Sequence, residues 1–117
     1  MAREVGGIIG KEITVRGEIE GREDLLVEGV VEGTVRLQAE LIVVEGGAVR
    51  AEVDTQALTV EGRFDGTGVC SEVITLRPGC QATGTLAAPL IVIEEEAVFD
   101  GTLDMETGLE AEEARHG

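Results

Sequence analysis

The chain has 117 residues, of which 43% are apolar, and it carries a formal net charge of −15. This charge disfavours direct binding to nucleic acid or to an acidic membrane surface, because both need clusters of Lys and Arg and the nine basic residues here are scattered. No apolar run approaches the ~20 residues that span a bilayer, and the start of the chain has no secretory signal. The two cysteines are ten residues apart, which is not a zinc-binding spacing, so we expect a cytoplasmic protein with reduced thiols.

Two short patterns alternate along the chain. The first is apolar-x-small-x-apolar, and its small residue recurs at positions 17, 33, 51, 66, 84 and 101. The second is apolar-x-apolar followed by an acidic residue or a turn. It occurs in LLVEG at 25–29, IVVEGG at 42–47, LTVEG at 58–62, ITLRPG at 74–79 and IVIEEE at 91–96. Both patterns share a period of about 17 residues, which indicates a stacked repeat.

Each element has the two-residue alternation of a β-strand and is rich in Val, Ile, Leu and Thr. A hairpin meander is the competing fold, but it would not bring the same residue type to the same position in every period. The sequence therefore predicts an all-β, single-domain parallel β-helix of about five to six coils, with three faces per coil. We expect residues 13–105 to form this domain, 1–12 to be a flexible N-terminal tail, and 106–117 to be a flexible acidic C-terminal tail.

Stacking predicts columns of inward-facing residues, because alternate residues of a strand share a face. The first pattern predicts a column of small residues at which opposite walls come too close for a side chain. The second pattern predicts a column of large aliphatic residues in the core. The small column comprises Gly33, Ala51, Gly66, Gly84 and Gly101, and the large one comprises Val44, Val60, Leu76 and Ile93.

The polar residues of the chain do not form a recognisable catalytic combination. The chain has one His, one Ser and one Lys, at His116, Ser71 and Lys11, so a nucleophile, a base and an orienting group are not available together. The glycine pair at 66 and 68 lacks the following helix that a phosphate site needs. The acidic run at 94–96 is interpreted as a solvated turn. We therefore expect no enzyme activity, no cofactor and no metal.

The two ends of a β-helix carry unpaired backbone groups and an open cross-section of core, and natural sheets usually cap such edges. The sequence contains no evident capping helix, so we expect molecules to stack end to end into a filament. At the last coil the contact would involve Phe99, Leu103 and Met105, and at the first coil Ile13 and Val15. The alternative for Phe99 is an ordinary core position, which is the expected role of Phe64 in the same column.

The segment IIGKEITVRGEIEGREDLLVEGVVEGTV at 8–35 resembles the opening of the bactofilins, a family of bacterial cytoskeletal proteins. LIVIEEEAVFDGTLDM at 90–105 resembles the closing coil of that family, so the resemblance covers residues 8–105. The residues of the opening segment that fit the family pattern are Ile9, Gly10, Ile13, Gly17, Gly21, Asp24, Leu25, Gly29 and Gly33.

This resemblance implies a right-handed β-helix that polymerises without nucleotide into non-polar filaments, through head-to-head and tail-to-tail contacts. It implies a scaffold that positions cell-wall enzymes, shapes the cell or organises chromosome-segregation machinery. It also implies that Phe99 lies in the polymer contact. Many members carry an N-terminal membrane-targeting motif with apolar or aromatic residues, and MAREVGG has no aromatic residue, so direct membrane binding is not expected; attachment through a partner stays open. The alternative function is a non-polymeric module whose acidic faces recruit a basic partner protein.

Overall fold

The computed structural model describes residues 5–104, which form ten β-strands and, within that range, no helix. All strand pairs are parallel. In chain order the strands are β1 (Val5–Ile9), β2 (Thr14–Gly21), β3 (Asp24–Val27), β4 (Val30–Leu37), β5 (Glu40–Val43), β6 (Ala48–Val60), β7 (Arg63–Leu76), β8 (Gln81–Ala87), β9 (Leu90–Ile93) and β10 (Val98–Asp104).

The strands are stacked as a β-solenoid of six coils. Each coil consists of a short strand, a turn and a longer strand, and β6 and β7 each pass from the long strand of one coil into the short strand of the next. A residue with positive φ, such as Gly33 at 126°, interrupts the extended backbone of most long strands and divides those coils into three segments. The predicted parallel β-helix is therefore confirmed.

The first coil begins earlier than the sequence predicted. Residues 5–9, which were expected to belong to a flexible tail, form β1 and pair with β3, and Ile9 is buried against Val27. The physical reason is that β3 offers a free edge and Ile9 completes an inward column. Residues 106–117 and Met105 lie outside the described residues, so the expectations about them stay predictions.

The core is a set of aliphatic columns that run along the stack. The middle members of each column are fully buried, and burial of each large side chain stabilises the fold by roughly 1.5–3 kcal/mol. Two columns come from the long strands: Val15, Val31, Val49, Phe64, Ala82 and Phe99; and Ile19, Val35, Val53, Gly68, Leu86 and Leu103. Two come from the short strands: Leu25, Leu41, Leu58, Ile74 and Ile91; and Ile9, Val27, Val43, Val60, Leu76 and Ile93.

The third coil differs from the prediction by one residue. Val43, not Val44, pairs with Val60 and is fully buried, whereas Val44 lies in the turn and is half-buried. A shift of one residue moves a side chain to the opposite face of a strand. The assignment of Val44 to the core column is therefore corrected to Val43. Four consecutive apolar residues, Leu41 to Val44, span the end of this strand and the start of the turn, so alternation alone did not fix which of them faces inward.

The column of small residues has a different cause from the one predicted. Gly33 and Gly101 are exposed, Gly66 and Gly84 are half-buried, and only Ala51 is buried. A Cβ atom added to Gly84 would overlap the carbonyl oxygen of Gly66 in the preceding coil, and the φ of Gly84 is +113°. The steric limit thus acts along the stack, between neighbouring backbones, and not across the core. The prediction that these glycines point inward is wrong.

Candidate polymer interface

The first and last coils are the open edges of the solenoid. Within residues 5–104, β1 and β2 pair only with β3 and β4, while β9 and β10 pair only with β7 and β8. Every inner strand pairs on both sides, so its N–H and C=O groups are shared with two neighbours. An edge strand presents a row of such groups that another strand can bind. Both ends of the stack are therefore templates for further pairing.

Exposed apolar side chains concentrate on the same two coils. Seven large hydrophobic residues are exposed in the described part of the chain, and all but Val69 belong to the first or the last coil. Single exposed apolar residues are ordinary on protein surfaces, but groups of them mark interaction sites. The first coil contributes Ile8 and Ile13, and the last coil contributes Leu90, Val92, Ile93 and Val98.

The last coil carries what we call the tail edge, namely Ile91, Ile93, Phe99 and Leu103. Phe99 and Leu103 stack on Ala82 and Leu86 and are only half-buried, because no further coil of the described residues covers them. Ile93 was predicted to be core and stacks on Leu76 as expected, but 44% of it is exposed for the same reason. Ile93 therefore belongs with Phe99 at this edge. The sequence held the signal, since Ile93 is the last member of its column.

The first coil carries the corresponding head edge, namely Ile13, Val15 and Ile19. Val15 and Ile19 stack on Val31 and Val35 and are half-buried, whereas Ile13 is 50% exposed. Ile13 and Val15 were predicted for this end, and Ile19 was not. Ile19 closes the first copy of the apolar-x-small-x-apolar pattern, so the repeat itself could have identified it.

Side-chain volume distinguishes the last coil from the inner ones. In the fourth and fifth coils each large inward residue shares its strand with a small inward residue. Phe64 is accompanied by Gly68 in the fourth coil, and Leu86 by Ala82 in the fifth. A Cβ atom at Gly68 would lie 3.3 Å from the ring of Phe64, so the glycine makes room for that ring. Well-packed cores need such compensation. The last coil combines two large residues, Phe99 and Leu103, with no small residue to compensate. This leaves surplus apolar volume at the tail edge.

The two ends differ in charge. Residues 5–23 contain three basic and four acidic residues, a net charge of −1, whereas residues 88–104 contain five acidic residues and no basic one, a net charge of −5. A contact between two tail edges therefore meets more electrostatic repulsion than one between two head edges. Salt screens such repulsion between exposed charges. Among residues 5–104, Arg77 of the preceding coil offsets part of it, with its Nε 3.4 Å from a carboxylate oxygen of Glu94.

Both cysteines are free and buried. The Sγ of Cys70 lies 3.3 Å from the Oγ1 of Thr55, and burial raises the pKa of the Cys70 thiol to about 11. Burial also raises the pKa of Cys80, which occupies a corner column with Gly62 and Ala97. These pKa shifts favour neutral, poorly nucleophilic thiols.

Among residues 5–104, no group of three or more His, Cys, Asp and Glu side chains is arranged to hold a metal ion. The same residues include no helix that is long and apolar enough to cross a membrane.

Comparison with known proteins agrees with this architecture. The family model described as "Bactofilin: Polymer-forming cytoskeletal" matches residues 7–104. The chain is 38% identical to bactofilin BacO of Myxococcus xanthus over 99 residues, which cover 85% of this chain and 79% of BacO. It is 36% identical to bactofilin BacN of the same organism over 109 residues, which cover 93% of this chain and 96% of BacN.

Bactofilin BacP of Myxococcus xanthus is 35% identical over 98 residues, and the chain covers only 41% of its length. No solved structure matches the chain. The family model spans nearly all of the described residues, and the similarity to BacO and BacN extends over most of both proteins. The chain belongs to the bactofilin family, whose members are structural proteins with a polymer-forming cytoskeletal domain.

Proposed function

We propose that this bactofilin polymerises end to end, without nucleotide, through head-to-head contacts between first coils and tail-to-tail contacts between last coils. The resulting non-polar filament acts as a cytoplasmic scaffold that positions client proteins, such as cell-wall enzymes or chromosome-segregation proteins. It has no catalytic role of its own. Residues 1–4 and 105–117 bind clients or attach the filament to a membrane through a partner.

One observation carries this proposal: exposed apolar side chains and singly paired strands coincide at the two ends of the stack. A tail-to-tail contact would cover Ile93, Phe99 and Leu103 and would remove their apolar surface from water, at roughly 25 cal/mol per Å². The contact needs no bound nucleotide, because apolar burial supplies its driving force. The family description, polymer-forming cytoskeletal, supports the same conclusion.

Negative-stain electron microscopy and high-speed sedimentation of the purified chain test this proposal. We expect filaments without nucleotide, and we expect more of them as salt rises, because salt screens the charge of the last coil. Addition of ATP or GTP should change neither their number nor their length. A protein that stays monomeric or dimeric over the whole salt series would contradict the proposal, and it would favour a discrete acidic module that recruits a basic partner.

A further inference from the structure

The short strands present an outward face that differs from the rest of the surface. We call it the short-strand face; it consists of the side chains that alternate with the buried ones on β1, β3, β5, β9 and the second halves of β6 and β7. One of its two columns is Ile8, Leu26, Ile42, Thr59, Thr75 and Val92, and the other is Asp24, Glu40, Ala57, Val73 and Leu90.

This face is apolar or neutral over most of its length. Its carboxylates are Asp24 in the second coil and Glu40 in the third, and both accept hydrogen bonds within the molecule. The backbone N–H of Glu40 donates to Oδ1 of Asp24 at 3.0 Å, and the hydroxyl of Thr59 donates to Oε2 of Glu40 at 2.6 Å. From the fourth coil to the sixth the face carries no charge.

The outward columns of the long strands carry both charged residues and threonines, and most of their charge lies in the first three coils. One of them alternates in sign over four coils, and Nε of its first member, Arg16, lies 3.2 Å from Oε1 of Glu32. Most of the charge of the solenoid therefore lies on faces other than the short-strand face. The outward columns of the long strands are Arg16, Glu32, Arg50, Asp65, Thr83 and Asp100; Glu18, Thr34, Glu52, Thr67, Thr85 and Thr102; and Glu20, Arg36, Asp54, Val69, Ala87 and Asp104.

We propose that the short-strand face is the surface by which two filaments of this chain associate side by side, with a second copy of the chain as its occupant. The proposal rests on the polymerisation proposed above. Charge selects the occupant: a basic partner would be drawn to the acidic faces, whereas two molecules that each carry a charge of −15 can touch closely only where that charge is absent.

The dimensions of the face make it a contact between filaments and not between free molecules. Six strands at a spacing of about 4.8 Å and four residues of about 3.3 Å each give roughly 400 Å² per molecule. A stable pair of proteins needs about 800 Å² per partner. The face reaches from Ile8 in the first coil to Val92 in the last, so it runs the length of each molecule and recurs in every molecule of a filament. Many weak contacts along a filament then act together.

The Thr75→Glu variant tests this surface, with Thr85→Glu as its matched control. Both threonines lie in the fifth coil, both face outward, and both variants add one negative charge, but only Thr75 belongs to the short-strand face. Filament width in negative stain and pelleting at low speed report side-by-side association over a salt series. Circular dichroism establishes that the variants fold, and Ala57→Glu with Thr67→Glu repeats the comparison in the fourth coil.

We expect wild-type and Thr85→Glu filaments to associate laterally, increasingly so with salt. Thr75→Glu should form single filaments, and it should need at least about tenfold more protein for lateral contacts, because each contact would bury an unpaired carboxylate. Equal lateral association of the two variants would overturn the proposal while leaving polymerisation intact, as would wild-type filaments that stay single. If the wild type forms no filaments, both proposals fail. Flotation of the wild type but not of Thr75→Glu with phosphatidylcholine vesicles, at unchanged filament width, would assign the face to lipid and overturn it.

Discussion

Phe64 and Phe99, the two aromatic residues of the chain, stand in the same inward column with Ala82 between them. Phe64 is fully buried, with its ring accommodated by Gly68, whereas Phe99 is half-buried on the last coil. The same residue type thus has two different environments that are set only by its distance from the end of the stack. One is a core position, and the other is a core position that lacks its covering coil.

Arginine at these two positions should separate folding from assembly. Phe64→Arg would bury an unpaired charge and should prevent folding, since such a change costs several kcal/mol. Phe99→Arg can direct its guanidinium past the last coil into water, so the solenoid should remain folded. Far-ultraviolet circular dichroism and urea unfolding of both variants at low protein concentration measure this. Loss of folding in Phe99→Arg would show that Phe99 is an internal core residue.

Gly84→Val should damage folding more than Gly17→Val. Both glycines have a positive φ, which a β-branched residue rarely adopts. At Gly84 a side chain would also overlap the carbonyl oxygen of Gly66, whereas no described atom lies within 4 Å of a Cβ at Gly17. We expect Gly17→Val to lower the free energy of unfolding by about 1–3 kcal/mol and Gly84→Val to lower it by clearly more. Equal losses in thermal melts would mean that neighbouring coils do not set the constraint.

Glu96→Gly should stabilise the protein. Glu96 is the one non-glycine residue with positive φ in the described range, at 69°. It occupies the turn position that is held by Gly46 and Gly79 in other coils, where the backbone N–H of the next residue donates to the carbonyl oxygen of the residue that opens the turn. Glycine releases the strain of the left-handed backbone, but it also makes the unfolded chain more flexible, which offsets part of the gain. The net effect should raise the free energy of unfolding by about 0.5–1 kcal/mol. Glu95→Gly removes the same charge without that strain, so a similar gain there would contradict the explanation.

Stability should fall above pH 9 because of Cys70. Its pKa is raised by burial from 9.0 to about 11 in the folded chain, so at alkaline pH the unfolded state loses this proton before the folded state does. Fewer bound protons in the unfolded state mean that the free energy of unfolding decreases as pH rises from about 9 to 11, by roughly 2–3 kcal/mol at most. The chain contains no Tyr and only one Lys, so few other groups titrate there.

Urea unfolding at pH 7, 9 and 10.5 measures this pH dependence, and Cys70→Ala should remove the larger part of it. Alanine fits the position, since Ala88 fills the same place in the next coil and is buried. An unchanged pH dependence in Cys70→Ala would assign the effect to other groups.

The repeat made the fold predictable from the sequence. A parallel solenoid places each residue over its equivalent one coil earlier. Aligning the copies of the apolar-x-small-x-apolar pattern therefore gave the correct register of the long strands directly. The strand at residues 5–9 was missed because its sequence, VGGII, does not show the apolar-x-apolar pattern followed by an acidic residue or a turn that marks the other short strands. The shift from Val44 to Val43 arose because Leu41, Ile42, Val43 and Val44 are all apolar, which leaves the phase of the alternation undetermined.

The candidate site was only partly predictable for a related reason. Phe99 and Leu103 could be placed at an end because they close the repeat, and Ile93 could have been placed there in the same way. The short-strand face could not be recognised, because strands with apolar residues on both sides look like fully buried strands in a sequence. The x position of the apolar-x-apolar pattern predicts that Thr75 faces outward, but only the structure places the apolar Val73 beside it on that outward face.

The oligomeric state of two end variants, alone and mixed, distinguishes between the possible arrangements of the end contacts. Phe99→Arg blocks the tail edge and Ile13→Arg blocks the head edge, so size-exclusion chromatography with light scattering measures what each remaining edge does. If assembly is head-to-head and tail-to-tail, each variant should form dimers through its intact edge, and an equimolar mixture should contain the same two kinds of dimer and no polymer. If both variants are monomers that form a dimer only when mixed, assembly is head-to-tail. Long polymers from either variant would contradict the account of the two edges altogether.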